Sequence, residues 1–206
     1  MRVRLAVLCV AGGVAAAAMW FGPIGFARAA PAEGGENPPA VTPKVDRAHN
    51  IDFLFQALKA APDDETARLI EGRIWALWLV SGSDTTDLLM SRARTAIEQN
   101  DSDLAIQILD AIIELKPDYA EAWNRRATLY FEKHDYGRAM GDIAQVLARE
   151  PRHFGALTGL GMILEDIGDN KRALEAFRRA LEVDPRLERV PEIVKSLTEK
   201  VEGRGI

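Results

Sequence analysis

Cysteine is all but missing from this chain: of 206 residues, only Cys9 is one. A single thiol excludes an intramolecular disulfide and every CxxC metal or redox motif. Histidine is scarce as well. His49, His134 and His153 stand far apart, with no HExxH and no paired spacing. No metal, cofactor or nucleophile–base pair is therefore expected, and neither is an enzyme or a small-molecule substrate. The three histidines are expected in solvent-exposed turns or at the edge of a linker. An excess of positive charge is also lacking, with 26 basic against 31 acidic residues and a net charge of −5. Without a basic footprint, neither nucleic acid nor an anionic membrane surface is an expected partner.

Glycine is present, but not as a phosphate loop. Gly155-x-x-x-Gly159-x-Gly161 lies in a helical pattern with no strand before it and no Gly-Lys-Ser/Thr after it. Close helix packing explains Gly161. Hydrophobic residues make up 48% and charged ones 28%, which is the composition of an ordinary globular protein.

The one long apolar run is at the N-terminus. Arg2 and Arg4 precede an uncharged stretch from Leu5 to Phe21, broken by Gly22-Pro23 and followed by Ala27-Arg28-Ala29. This is the pattern of a secretory signal peptide over 1–29, with cleavage after Ala29 or Ala30. The alternative is an uncleaved anchor, since about 17 apolar residues is the lower limit for spanning a bilayer. Cys9 comes too early in the run for a lipoprotein signal. Removing Arg2, Arg4 and Arg28 from the 26 basic residues leaves 23 against 31 acidic ones, a net charge near −8. The next segment, 30–47, is rich in proline and glycine and has no periodic apolar face, so it reads as a flexible spacer.

What the rest of the chain does have is a ruler. Pro117, Pro151 and Pro185 lie 34 residues apart, as do Ala105, Ala139 and Ala173, and Asp101, Asp135 and Asp169. A fixed period of this length marks a helical solenoid. With repeats beginning at Thr86, Ala120 and Phe154, position 4 is Leu89, Trp123 and Leu157, and position 8 is Ala93, Ala127 and Gly161. Position 11 is Ala96, Tyr130 and Leu164; position 24 is Leu109, Ile143 and Phe177; position 27 is Ile112, Val146 and Ala180. Apolar residues at i, i+4 and i+7 give each helix one buried stripe, and small residues let two antiparallel helices approach. The aspartates are placed to cap the second helices, and the prolines to stop them.

These positions resemble the tetratricopeptide repeat (TPR) closely, over 86–187. The third repeat matches best; the second departs at Arg126, where leucine is usual, and the first is weakest. The resemblance implies an all-α fold, a right-handed superhelical α-solenoid of antiparallel helix pairs. A divergent helix pair over 48–85 precedes the repeats, with Ile51, Leu54, Phe55 and Leu58 on its first helix. Asp63-Asp64 starts its second, which runs through Ala67, Ile70, Ile74, Leu77 and Trp78. Aligning Ala67 with the alanine register costs four inserted residues. Trp75 and Trp78 have two readings: an exposed docking surface, or core contact with the first helix of the next repeat. Val190, Val194, Leu197 and Val201 form the stripe of a C-terminal capping helix within 188–206.

The resemblance also implies a binding surface. First helices of successive repeats line a concave groove with positions 2, 5, 9, 12 and 13. Here those include Asp87, Met90, Arg94, Ile97 and Glu98 in the first repeat, and Glu121, Asn124, Thr128, Phe131 and Glu132 in the second. The third contributes Gly155, Thr158, Met162, Glu165 and Asp166. Glu98, Glu132, Glu165 and Asp166 form an acidic strip, Asn124 offers an amide, and Met90, Phe131 and Met162 offer apolar anchors. Solvated helix faces carry such charges too. The basic clamp by which some members hold a chaperone's acidic C-terminus is not matched at Met90, Arg94, Arg125, Gly155 and Gly159, so a carboxylate-ended ligand is disfavoured. The expected partner is a protein, through a basic or neutral extended segment, with a membrane involved only if the N-terminal helix is retained. Location is expected in the periplasm, or anchored in the inner membrane and facing it.

Overall fold

The computed structural model describes residues 43–203, with side chains from Asn50 onward; the signal segment and most of the spacer lie outside the described residues. Nine helices follow one another among the described residues. They are α1 (Pro43–Lys59), α2 (Asp64–Leu79), α3 (Asp84–Glu98), α4 (Ser102–Leu115), α5 (Ala120–Glu132), α6 (Tyr136–Arg149), α7 (Phe154–Asp166), α8 (Asn170–Val183) and α9 (Val190–Val201). The first helix begins at Pro43, so it takes in the last residues assigned to the spacer. Proline is tolerated there because a first-turn N–H has no intrahelical partner to lose.

The 34-residue ruler is visible in the turns between paired helices. Asn100, His134 and Gly168 stand at one register and all adopt the left-handed conformation, with φ of 59°, 58° and 85°. Each ends its helix, and the next residue's N–H reaches back to the carbonyl of Ala96, Tyr130 or Leu164. That next residue is the periodic aspartate. Its carboxylate then accepts from the N–H of Leu104, Arg138 or Arg172 and caps the following helix. One residue so closes a turn and opens a helix, three times over.

Pairing within repeats depends on the small positions. A methyl on Gly161 would sit 2.7 Å from the ring of Phe177, so α7 and α8 can meet at this spacing only with glycine there. Ala105, Ala139 and Ala173 are fully buried at the matching crossings. Gly159 has no such need, since a methyl would lie an ordinary 3.7 Å from Ile143. Arg126 fits because its guanidinium donates to Asp142 on α6 at 2.7 and 2.8 Å and to Asp110 on α4, linking two repeats. Those two carboxylates, Asp142 first, hold it charged beyond an ordinary arginine. Trp123 is only half buried; its Nε1–H donates to the Pro117 carbonyl, and Arg126 and Arg149 lie over its ring.

Three of the four cores run continuously through the array. One joins α3, α4 and α5, one α5, α6 and α7, and one α7, α8 and α9. The fourth departs from the expected order. The buried residues of α1 and α2 (Phe55, Leu58, Ala67, Ile74, Trp78) pack with Phe154, Leu157, Ala180 and Val183 of α7 and α8. The divergent pair therefore builds its core on the third repeat, with no buried residue of α3 or α4 in that core.

Candidate binding groove

The second helix reaches the starts of α5 and α7, where the groove positions of the second and third repeats begin. Trp75 lies across Gly155: a methyl there would be 3.0 Å from its Cη2 atom. Trp78 stacks on the His153 ring at 4.1 Å and 10°, and meets Phe154 at 5.2 Å and Phe55 at 6.1 Å. Trp75 turns its edge to His153 and Phe154. The structure thus takes the core reading of both tryptophans, but with the third repeat rather than the next one.

His153 corrects the expectation of an exposed turn. It is fully buried, and its Nδ1 accepts from the Ala156 N–H to cap α7. Burial pushes its pKa down to about 4, so the ring is neutral. His134 is exposed, as expected of a turn residue, with Nδ1 2.9 Å from the Tyr136 hydroxyl. His49 lies within α1.

Around this aromatic centre the contacts are polar. Arg152 reaches Asp52 at 2.7 Å and sits over the Phe55 ring. Arg186 donates to the carbonyls of Ala61 and Pro62 and to the Asp64 carboxylate, holding the α1–α2 turn. Glu71 faces Asp184, and burial together with that neighbouring carboxylate pushes it up to about 7. Asp184 itself is raised by burial. With Glu71 ionised, Asp184 Oδ2 is buried without a donor; a proton on Glu71 supplies one.

The family is decided by one relative. A TPR repeat-containing protein of Rhizobium etli is 45% identical over 153 residues, which cover 74% of this chain and 75% of that protein. This chain belongs to the tetratricopeptide repeat proteins. The tetratricopeptide repeat model itself matches residues 90–144 and 125–187. Among solved structures, the first TPR of Spaghetti bound to an HSP90 peptide superposes with a TM-score of 0.54 at 17% identity, over 57% of this chain and 93% of that one. The Yersinia enterocolitica secretion chaperone SycD, in complex with a peptide of the translocator YopD, gives 0.55 at 15%, over 57% and 95%. Both likenesses show the shared fold.

In this TPR protein the groove positions divide into two lanes. The lane of positions 2 and 5 is largely closed. Glu121 is 1% exposed, contrary to the expectation of a contact residue, and accepts from Asn124 Nδ2 at 3.1 and 3.2 Å. Burial pushes it up to about 7 against the pull of Arg125 and Asn124. Met90 is buried, and the Thr158 hydroxyl is enclosed. Asp87 is committed elsewhere: its carboxylate accepts from the Ser81 hydroxyl at 2.6 Å and holds the α2–α3 turn. The lane of positions 9, 12 and 13 is open. Arg94, Glu98, Thr128, Glu132, Glu165 and Asp166 are exposed, beside half-buried Ile97, Phe131 and Met162. Asp166 also accepts from the Tyr136 hydroxyl at 3.0 Å. A shallow pocket of about 230 Å³ between Leu79, Met90, Arg94 and Arg125 lies where the lanes meet.

Sequence reasoning missed Arg152 and Arg186 as determinants of this site and placed His153 in an exposed turn; for Trp75 it offered both a docking and a core reading. The signal was Gly155, a residue without a side chain at a groove position, which leaves room for a neighbour.

Proposed function

We propose that this TPR protein is a non-enzymatic scaffold that binds an extended, basic or neutral protein segment along the open lane of its groove. The observation that carries it is the acidic strip Glu98, Glu132, Glu165 and Asp166, all exposed at the last turns of α3, α5 and α7. Helix C-termini carry partial negative charge, so carboxylates there add to a field that attracts lysine or arginine. Phe131 and Met162 supply adaptable apolar contact beside it. The peptides held by the Spaghetti and SycD repeats support peptide binding by this fold; the Spaghetti peptide, SRMEEVD, is itself acidic, so the preference for a basic or neutral segment rests on the strip.

The test is charge reversal of the strip. Glu132→Lys combined with Asp166→Lys is expected to reduce capture of the native partner at least about tenfold, the order of a 1–2 kcal/mol change. The melting temperature should stay within about two degrees, because both side chains are exposed. Unchanged capture would move the binding surface elsewhere.

The export signature supports a periplasmic location for the mature chain, Ala30 or Pro31 being its first residue. The apolar length of Leu5–Phe21 favours a second reading, an inner-membrane-anchored accessory factor in envelope assembly or cytochrome maturation. Mass spectrometry of the mature N-terminus separates the two: a start at Ala30 or Pro31 removes the anchor.

A further inference from the structure

We infer that the α1–α2 pair is an intramolecular ligand of the groove. It fills a helix-binding seat on α7 and α8 that a partner helix of the same chemistry can take in its place. The inference rests on the groove-binding reading above and extends it to the closed lane.

The seat is built like an interface. Its centre is aromatic: Trp75 over Gly155, and Trp78 flat on His153 beside Phe154. Its rim is polar, with Arg152 pairing Asp52 and Arg186 pairing Asp64. Aromatic anchors inside a ring of solvent-touching charges are the anatomy of protein–protein contacts rather than of a repeat's own core. The satisfaction of polar groups tells the same story. Trp78 Nε1 and His153 Nε2 are buried here without a hydrogen-bond partner. Integral cores satisfy nearly all such groups, so the docked state is weaker than its buried area suggests.

The ties that release must break are few and local. Between α2 and α3 the chain turns at Gly82, φ 76°, in a turn clasped by Ser81 and Asp87; the Tyr119 hydroxyl donates to the Leu79 carbonyl at 2.8 Å, and the three cores of the array contain no residue of α1 or α2. The repeats hold themselves together without the pair. Its departure would uncover Phe154, Leu157 and Val183 and give access to Gly155. A competing ligand is therefore an amphipathic helix. It places an indole in the Gly155 notch and carboxylates toward Arg152 and Arg186. An extended segment in the open lane would leave the pair in place.

The probe is a fluorescently labelled peptide of residues 62–81, titrated into the full chain and into the full chain carrying Trp75→Ala and Trp78→Ala. Those changes loosen the resident helix and leave its seat intact. The peptide is expected to bind the variant about tenfold or more tighter, because apparent affinity scales with the fraction of open seats. Adding Gly155→Leu should abolish that gain. Equal affinities, or no binding to a variant whose repeats still melt cooperatively, would overturn the inference. Hydrogen exchange on the unaltered chain gives a check that needs no mutation. Amides of α1 and α2 should exchange together and about tenfold or more faster than those of α7 and α8; exchange as slow as in α7 would overturn it. Neither measurement uses the acidic strip. Failure here leaves the open-lane reading standing, and loss of capture by the strip mutant leaves this one untouched.

Discussion

The α7–α8 and α1–α2 pairs are both antiparallel helix hairpins with a fully buried alanine, Ala173 in one and Ala67 in the other, yet they are held by different means. The α7–α8 repeat closes on itself, with Phe177 seated over Gly161 and neighbours on both sides in register. The α1–α2 pair is held by residues far away in sequence: Arg152 reaches back 100 residues to Asp52, and Arg186 reaches back 125 to Ala61. The difference separates a repeat from an attachment. Local partners at fixed spacing give one continuous core, whereas distant partners give a boundary with its own rim, its own charges and its own stability.

The comparison can be broken hardest at Phe177. Phe177→Ala removes a fully buried ring from a contact with no spare volume, and is expected to cost about 4 kcal/mol. Thermal melting followed by circular dichroism should show the whole array moving down by about ten degrees. A loss confined to α7–α8 would mean that the repeats are not one cooperative unit.

A smaller effect is expected at Arg126. Arg126→Ala strands the Asp142 carboxylate, whose side chain is 7% exposed, and should cost about 3 kcal/mol. The double change Arg126→Leu with Asp142→Leu should recover most of it, because two packed apolar side chains replace a partly desolvated pair. A double variant as unstable as the single one would show that the link to Asp110, rather than relief of Asp142, is what matters.

The smallest effect is a pH dependence at the boundary where α1–α2 meets α7–α8. Glu71 is raised to about 7 by burial and by Asp184, with Arg68 opposing and Glu188 adding to it. A raised carboxyl favours the docked state most below its ordinary value of 4.5, and that contribution is lost as pH rises through about 7. Arg186 lies beside Asp184 and lowers that partner, without removing the proton shared across the boundary. His153 acts in the opposite sense: lowered to about 4 by burial, it withdraws support as pH falls below 6.5. Exchange of the α2 amides, corrected for intrinsic rates, should therefore become faster from pH 6 to pH 8, by about tenfold or less. Glu71→Gln should flatten that slope while leaving α8 unaffected. An identical slope in the variant would show that Glu71 does not set the dependence.

The periodic part of this molecule was legible because its determinants are local. Asp101, Asp135 and Asp169 cap helices three residues downstream, and alanine, glycine and proline recur where two helices cross or stop. Any such residue can be read with a window of one repeat. The capping helix α9 was legible for the same reason, its Val190 and Leu197 buried against α7 and α8. What could not be read was the destination of α1–α2. An apolar stripe states that a helix must be covered and not by what, and the alanine register suggested a neighbour at α3. His153 was misjudged as a consequence: it occupies a turn that is open in a bare repeat and is sealed by Trp75 and Trp78 of α2. Glu121 was misjudged as a contact residue because its burial on α5 leaves no mark in the repeat spacing. Arg126 shows the converse: an apparent departure from the repeat pattern became intelligible once two aspartates 16 residues to either side were placed around it.

The long reach of Arg152 and Arg186 also sets an order of events as the chain emerges. The α1–α2 pair is made first, but its seat is not complete until α8 has emerged. At about 5–20 residues per second, 100 intervening residues take roughly 5–20 s. Throughout that interval Phe55, Trp75 and Trp78 have no native surface to cover them, while each repeat can collapse as soon as its own hairpin is out. The newest part of the chain must wait for nothing, and the oldest part must be kept from aggregating until its place exists.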